Sequence, residues 1–296
     1  MKNRFFLFFM IAVVLGLIWY LFIKPYDYKA TFTTKATAGT LKQSLKLWAM
    51  RLDSSEIIPQ QELNRFTHMV RANDSLFEYD WSIGIMDSVS KVVVHITDTS
   101  NSLMHRLGMP FSTTDFEKRS ERTILDFYVE LEEHLANFKV SVVGLDSLPP
   151  TYCAYIPFQG QQAEKARKMM QSYPMLDGFV FGKDIKTNGR PFIEVEHWAY
   201  PRDSIAYNFC YPILKSDSLP KHPKIRYKQF MGSRGIKAIY NGNYITSDRA
   251  WYHLLDYARK NGIDVLPTPI EVFHNNPNFS SNHLEWVTEV YMPIYH

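Results

Sequence analysis

The sequence predicts an α+β protein with three parts: an apolar N-terminal helix, an antiparallel sheet closed by a long helix, and a duplicated strand-helix-strand-strand domain. Three observations predict it. Phe5 to Ile23 is an uncharged apolar run, long enough as a helix to cross a bilayer. Phe77, Tyr79, Trp81, Ile83 and Ile85 alternate with Glu78, Asp80, Ser82 and Gly84, the period of a strand with one buried face. The last half of the chain repeats itself: Ile193-Glu194-Val195 matches Ile270-Glu271-Val272, and Pro212-Ile213 matches Pro293-Ile294. Counted back from those prolines, Gly160 falls where Gly242 does, and each glycine precedes a helix-like stretch.

At 296 residues two folded domains are the default. A net charge of +3 is nearly balanced, and Lys221, Lys224, Arg226 and Lys228 read as a solvated linker between the repeats rather than a phosphate-binding patch. Cys153 and Cys210 fall in strands of one repeat. Two buried thiols are the favoured reading, although a bridge between them is geometrically conceivable.

Residues 1–24 read as an uncleaved anchor. Lys2 and Arg4 precede the apolar run, Trp19 and Tyr20 sit where interfacial aromatics belong, and no small-x-small cleavage site or lipidated cysteine follows. The positive-inside rule then leaves the N-terminus cytoplasmic and the rest outside, with Lys24 and Lys29 counting against that orientation. Tyr26 to Lys35 reads as a strand, and Gly39-Thr40 opens a helix with Leu41, Leu45 and Trp48 on one face. Polar residues from Asp53 to Gln61 break the pattern. After the alternating strand, Asp87-Ser88 turns the chain and Val92, Val94 and Ile96 return. A loop through Gly108-Met109-Pro110 leads to the capping box Thr114-x-x-Glu117. The helix from Asp115 to Phe138 puts Ile124, Phe127, Tyr128, Leu131, Leu135 and Phe138 on one stripe. This order is similar to that of helix-grip, START-like (SRPBCC) domains over residues 25–148. The resemblance implies an apolar cavity between sheet and helix, but Phe77, Tyr79 and Trp81 filling the space as core is the preferred reading. Leu145 to Pro150 reads as the domain boundary.

Residues 149–296 hold the repeats, as units 151–214 and 226–296. In the terminal strand Trp286, Thr288, Val290, Met292 and Ile294 face one way, and Val287, Glu289 and Tyr291 the other. Tyr240-Asn241-Gly242-Asn243-Tyr244, Glu271-Val272-Phe273 with Asn276-Pro277, and Val287 through Ile294 occur in that order. Together they resemble the GyrI-like effector-binding domain, also the ligand-sensing half of AraC-type and MerR-type regulators. The resemblance implies a pseudo-twofold pair of units whose groove binds lipophilic, often cationic molecules. Glu289 matches the family's acidic position. In the first unit Asn208 stands at that point, and the run from Gly182 to Gly189 departs from the pattern. Candidate ligand-binding residues are Glu289, Tyr291, Tyr240, Tyr244 and Phe273, with Tyr155 and Tyr211 for the other wall; Trp286 reads as core. Rings around a carboxylate add cation–π attraction of ~0.5–2 kcal/mol.

Other chemistry is not signalled. There is no Gly-x-Ser-x-Gly elbow, phosphate loop or dinucleotide fingerprint, and His274, His283 and His296 lack ligand spacing. No catalytic residue, metal or cofactor is therefore assigned. Glu194 and Glu271 read as outward strand residues, with paired groove acids as the alternative. No helix-turn-helix precedes the repeats, so nucleic acid is not an expected partner. The expected function is membrane-anchored binding or sensing of lipophilic small molecules, cationic ones among them. The alternatives are hydrolysis with Glu289 as base, and docking of a protein partner without a small ligand.

Overall fold

The computed structural model describes all residues except 1, 53, 61, 73–74, 87–88, 201, 276–281 and 296, and of residues 2, 3 and 59 the backbone alone. The Asp87-Ser88 turn, Asn276-Pro277 and His296 lie outside the described residues. The chain forms two compact units, Met1–Glu133 and His134–His296, each with its own antiparallel sheet.

In the first unit α1 (Lys2–Ile18) runs on into a π-helical turn, Trp19–Ile23, and Arg4–Ile23 is long and apolar enough to cross a membrane. Then come β1 (Tyr28–Thr34), α2 (Ala38–Ala49), β2 (Ser55–Pro59), β3 (Arg65–Ala72), β4 (Ser75–Ile85), β5 (Ser90–Asp98), α3 (Ser102–Gly108) and α4 (Asp115–Ala136). The sheet order is β1-β5-β4-β3-β2. The Thr114–Glu117 capping box forms reciprocally: Thr114 N donates to Glu117 Oε2 at 2.8 Å, and Glu117 N to Thr114 Oγ1 at 3.2 Å. Alternation in β4 buries Phe77, Tyr79, Trp81 and Ile83. Trp81 packs edge-on to Phe127 of α4 at 5.3 Å and stacks on Phe66 at 5.9 Å. Strands β2 and β3 were not foreseen, because their short apolar stretches are interrupted by Pro59, His68 and Arg71, and the short helix α3 falls in the stretch read as a loop through Gly108.

The second unit opens with β6 (Phe138–Leu148), which pairs with β11 (Ser233–Gly242). The chain therefore divides at 133/134 rather than at the expected 148/149. Val143 and Leu145 of β6 are exposed, so its alternation carries no buried face to reveal it. The first repeat is β7 (Thr151–Gln161), α5 (Lys165–Gly182), β8 (Phe192–Ala199) and β9 (Ser204–Ile213). The second is β11, α6 (Arg249–Asn261), β12 (Ile270–Phe273) and β13 (Val287–Pro293). Between them β10 (Arg226–Phe230) pairs with β7, so Arg226 and Lys228 belong to a strand and not to a linker. The sheet order is β10-β7-β9-β8-β12-β13-β11-β6, with β8 and β12 meeting at its centre.

Two links of two residues, 149–150 and 231–232, join strands at opposite margins of this sheet. Six strand spacings separate those strands in a flat sheet, about 29 Å at ~4.8 Å each, whereas each link reaches at most ~11 Å. The sheet therefore curls until its margins meet. Inside the curl lies a buried cluster of Cys153, Phe192, Cys210, Phe230, Ile270, Val272 and Tyr291, the two cysteines as free thiols. Helices α5 and α6 cover the outer face.

The repeat carries a one-residue surprise. Ile193 stands opposite Glu271 at the β8–β12 junction, and Asn208 and Glu289 then fall at equivalent places, paired with Glu194 and Val272. The two Ile-Glu-Val tripeptides are thus one residue out of structural register, and a slip of one sends a side chain to the other face. Glu194 points into the curl, where it pairs with Lys228. Glu271 points to the helices and is fully buried, so it is no outward strand residue.

Candidate ligand-binding pocket

Strand alternation divides the predicted site residues between the two faces. Phe273 and Tyr211 point to the helices; Glu289, Tyr291 and Tyr155 point into the curl. On the helix side a cavity of about 340 Å³ opens between α5 and the second repeat. Met169, Met170, Tyr173, Asp177 and Phe181 of α5 form one wall; Tyr244, Phe273 and His274 form the facing one, with Phe209 and Tyr211 as floor. The walls are mostly apolar and aromatic, as a site for a lipophilic molecule requires. Tyr244 is fixed by its hydroxyl, which donates to Asn275 O at 2.9 Å, and its ring lies 4.9 Å from that of Phe273. Tyr211 donates its hydroxyl to Asp177 Oδ1 at 2.8 Å. Burial, with hydrogen bonds to Tyr173 and Asp177, raises the Tyr211 hydroxyl far above the usual phenol range, so it stays a donor. Asp177 is the carboxylate of this pocket.

Glu289 does not line the cavity. Its Oε2 accepts from Tyr291 at 2.9 Å and its Oε1 lies 3.3 Å from Lys237 Nζ. Lys237 also bonds Asp146 at 3.0 Å, and its ammonium sits 5.3 Å from the centre of the Tyr291 ring. Burial lowers the Lys237 pKa, but hydrogen bonds to Tyr291 and Asp146 outweigh it and the net shift is upward. The carboxylate-and-ring arrangement expected to receive a ligand cation thus holds one of the protein's own. The first repeat does the same: Lys228 pairs with Glu194 and lies 4.9 Å from the Tyr155 ring centre. His274 links the two regions. It lines the pocket, and its Nε2 approaches Glu289 Oε1 to 3.3 Å without hydrogen-bond alignment.

Tyr240 belongs to neither region. It is fully buried, its hydroxyl 2.7 Å from Thr246 Oγ1 and its ring stacked on Phe138 at 5.8 Å. Trp286 is buried against Tyr244 at 5.2 Å. Sequence reasoning missed Asp177, Met169 and Met170. Their signal was the comparison of the repeat helices: counted from Gly160 and Gly242, Met169 and Met170 fall where α6 has Trp251 and Tyr252. Among the described residues no group of three or more His, Cys, Asp or Glu side chains converges as a metal site.

A buried ion pair sits where the repeats meet. Lys165 Nζ lies 2.6 Å from both carboxylate oxygens of Glu271 and 2.8 Å from Ser247 Oγ, and neither charged side chain is more than 2% exposed. Burial raises the Glu271 pKa even against Lys165. The pair fastens α5, which supplies one wall of the pocket, to β12.

No family model and no curated protein matches the chain. Among solved structures it is similar to the C-terminal domain of EcmrR, with 15% identity and a TM-score of 0.45 over 53% of this chain and 98% of that one. It is also similar to SAV2435 bound to tetraphenylphosphonium, at 11% identity and a TM-score of 0.37 over 52% and 94%. A third likeness, to the di-domain ARO/CYC StfQ of the steffimycin biosynthetic pathway, spans 90% of this chain and 85% of that one at 11% identity and a TM-score of 0.22. Identities and TM-scores this low leave the pocket's own chemistry to carry the functional conclusion.

Proposed function

We propose that the protein is a membrane-anchored binder of lipophilic small molecules, held at the bilayer by α1 and taking its ligand between α5 and the second repeat. The observation that carries this is the pocket: about 340 Å³, walled by methionine and aromatic side chains, with Asp177 as its acidic group. Methionines adapt to varied shapes, aromatic faces attract cations, and a carboxylate at the wall adds charge. The GyrI-like resemblance of the sequence supports the same reading with a different acid, since Glu289 already faces Lys237. That ammonium also weighs against Glu289 as a hydrolytic base. The helix-grip reading of the first unit is kept as a proposal of fold only, because its aromatic residues pack on each other.

The test is a titration of the full chain in nanodiscs with tetraphenylphosphonium and with neutral triphenylphosphine oxide, empty nanodiscs serving as blank. Saturable binding above the blank is expected, with Met170→Trp filling the pocket and weakening it at least about tenfold at a stability change under ~1.5 kcal/mol. Binding that Met170→Trp leaves untouched would place any ligand elsewhere and sink the proposal.

A further inference from the structure

Helix α3 presents an apolar face that the described residues of its own unit leave partly exposed. Leu103, Met104 and Leu107 lie on one side of it and are 43, 70 and 48% exposed; Phe111, just beyond, is 89% exposed. Four large apolar side chains grouped this way mark a contact surface rather than scatter. What they contact is indicated by the neighbouring side of the helix. Arg106 is buried there and donates from Nη1 to the carbonyl oxygens of Leu21, at 3.1 Å, and Tyr20, at 3.4 Å. These carbonyls belong to the last turn of the apolar N-terminal helix, where a helix end leaves acceptors without partners.

The attachment is rigid. Asp27 Oδ1 receives Arg106 Nε and Ser102 Oγ at 2.6 Å each, and its Oδ2 accepts from Asp98 N at 3.0 Å. Asp27 lies three residues past Lys24, where the apolar run ends. Helix α3 is thereby pinned level with Tyr20 and Leu21, about 5 Å inside the end of the run at ~1.5 Å per residue. If α1 crosses a bilayer, that level is the boundary between headgroups and acyl chains.

We propose that α3 and the segment to Phe111 form a second membrane contact, with Leu103, Met104, Leu107 and Phe111 inserted at the acyl-chain boundary beside the exit of α1. This rests on α1 being a membrane span. The partner is the lipid surface itself, recognised by apolar insertion. Arg106, neutralised by Asp27, turns away from the lipid to satisfy the helix carbonyls. The consequence is a fixed seat for the first unit on the bilayer rather than a swivelling tether.

The test uses the full chain in phosphatidylcholine vesicles, with an environment-sensitive fluorophore on Met104→Cys, Phe111→Cys or Val14→Cys; the native thiols are buried. Quenchers are carried on the lipid acyl chains, a shallow set to read positions 104 and 111 and a deep set to read position 14. The proposal expects quenching at positions 104 and 111 within about twofold of that at position 14, with blue-shifted emission. Quenching at 14 but not at 104 and 111 would overturn the seat and leave the span intact. Loss of quenching at 14 would overturn the span, and the seat with it. Concentration-dependent self-quenching at 104 and 111 without lipid quenching would show that two copies meet there instead, and would also overturn it.

Discussion

The two repeats of the second unit share a path but not a filling. Between α5 and the second repeat there is a cavity. At the equivalent place between α6 and the first repeat Trp198, Trp251 and Tyr252 pack on one another, with Trp198 lying 5.1 Å from Trp251 and 5.4 Å from Tyr252. Gln162, the counterpart of Tyr244, closes that side by accepting from Trp198 Nε1 at 2.8 Å and donating to Asp248 at 2.6 Å. Where α6 spends a tryptophan and a tyrosine on packing, α5 has two methionines. Duplication supplies two equivalent spaces, and side-chain volume decides which one stays open. The buried charges differ likewise, for Lys165 has Ser247 as its counterpart and Glu271 has Ile193.

The most damaging way to break the comparison is to remove the charge at the junction. Lys165→Met leaves Glu271 buried and unpaired, and urea unfolding should show a loss of about 3–5 kcal/mol. Because burial already raises Glu271, that deficit should shrink as pH falls and the carboxyl takes a proton. A smaller loss, about 3 kcal/mol, is expected for Trp198→Ala, which opens the filled side and leaves Gln162 Oε1 with only the longer bond from the Tyr252 hydroxyl, at 3.3 Å. A second binding event in the nanodisc titration would then show that only packing separates the two sides.

A gentler effect distinguishes the repeats by pH. Arg249 of α6 donates from Nε to His134 Nε2 at 3.2 Å, whereas its counterpart Arg167 pairs with Glu164. Burial, then the Arg249 charge, lowers the His134 pKa to about 4 from 6.5, so the folded state refuses a proton that the unfolded state accepts. The stability from neutral His134 is whole above pH 6.5 and drains away towards pH 4. Thermal melts across that window should flatten in His134→Gln, and an unchanged slope would refute the assignment. Least of all, Lys237→Met should uncover Glu289 and favour tetraphenylphosphonium over the neutral analogue by roughly 0.5–1 kcal/mol. A preference that does not move would leave Glu289 outside ligand selection.

Much of this was legible in the sequence. The repeat, its glycines and the alternation of β4 and β13 are local patterns, and each named its element. The face of Glu289 was legible for the same reason, but its partner was not. Lys237 meets it across a β11–β13 register that no window of residues reveals. Matching Ile-Glu-Val to Ile-Glu-Val hid the opposite fates of Glu194 and Glu271, because strand pairing and not identity sets the register. Helix α5 was foreseen as an element, yet Asp177 gained meaning only when Tyr211 was brought against it.

The short links that close the curled sheet also govern the order in which this unit can assemble. Strand β6 is made first, yet its partner β11 is about ninety residues away in the chain, so it must wait through the whole first repeat. That repeat, with β7, β9 and β8 adjacent in sequence, can pair locally while β6 stays unmatched. Gly232, at φ +81°, then turns the chain where an added Cβ would lie 2.7 Å from Leu148 O, so the last seam passes through a point that admits no side chain. Slow, late seam formation would expose an unpaired strand edge to neighbouring chains, and a Gly232→Ala chain would be the one to aggregate as it folds.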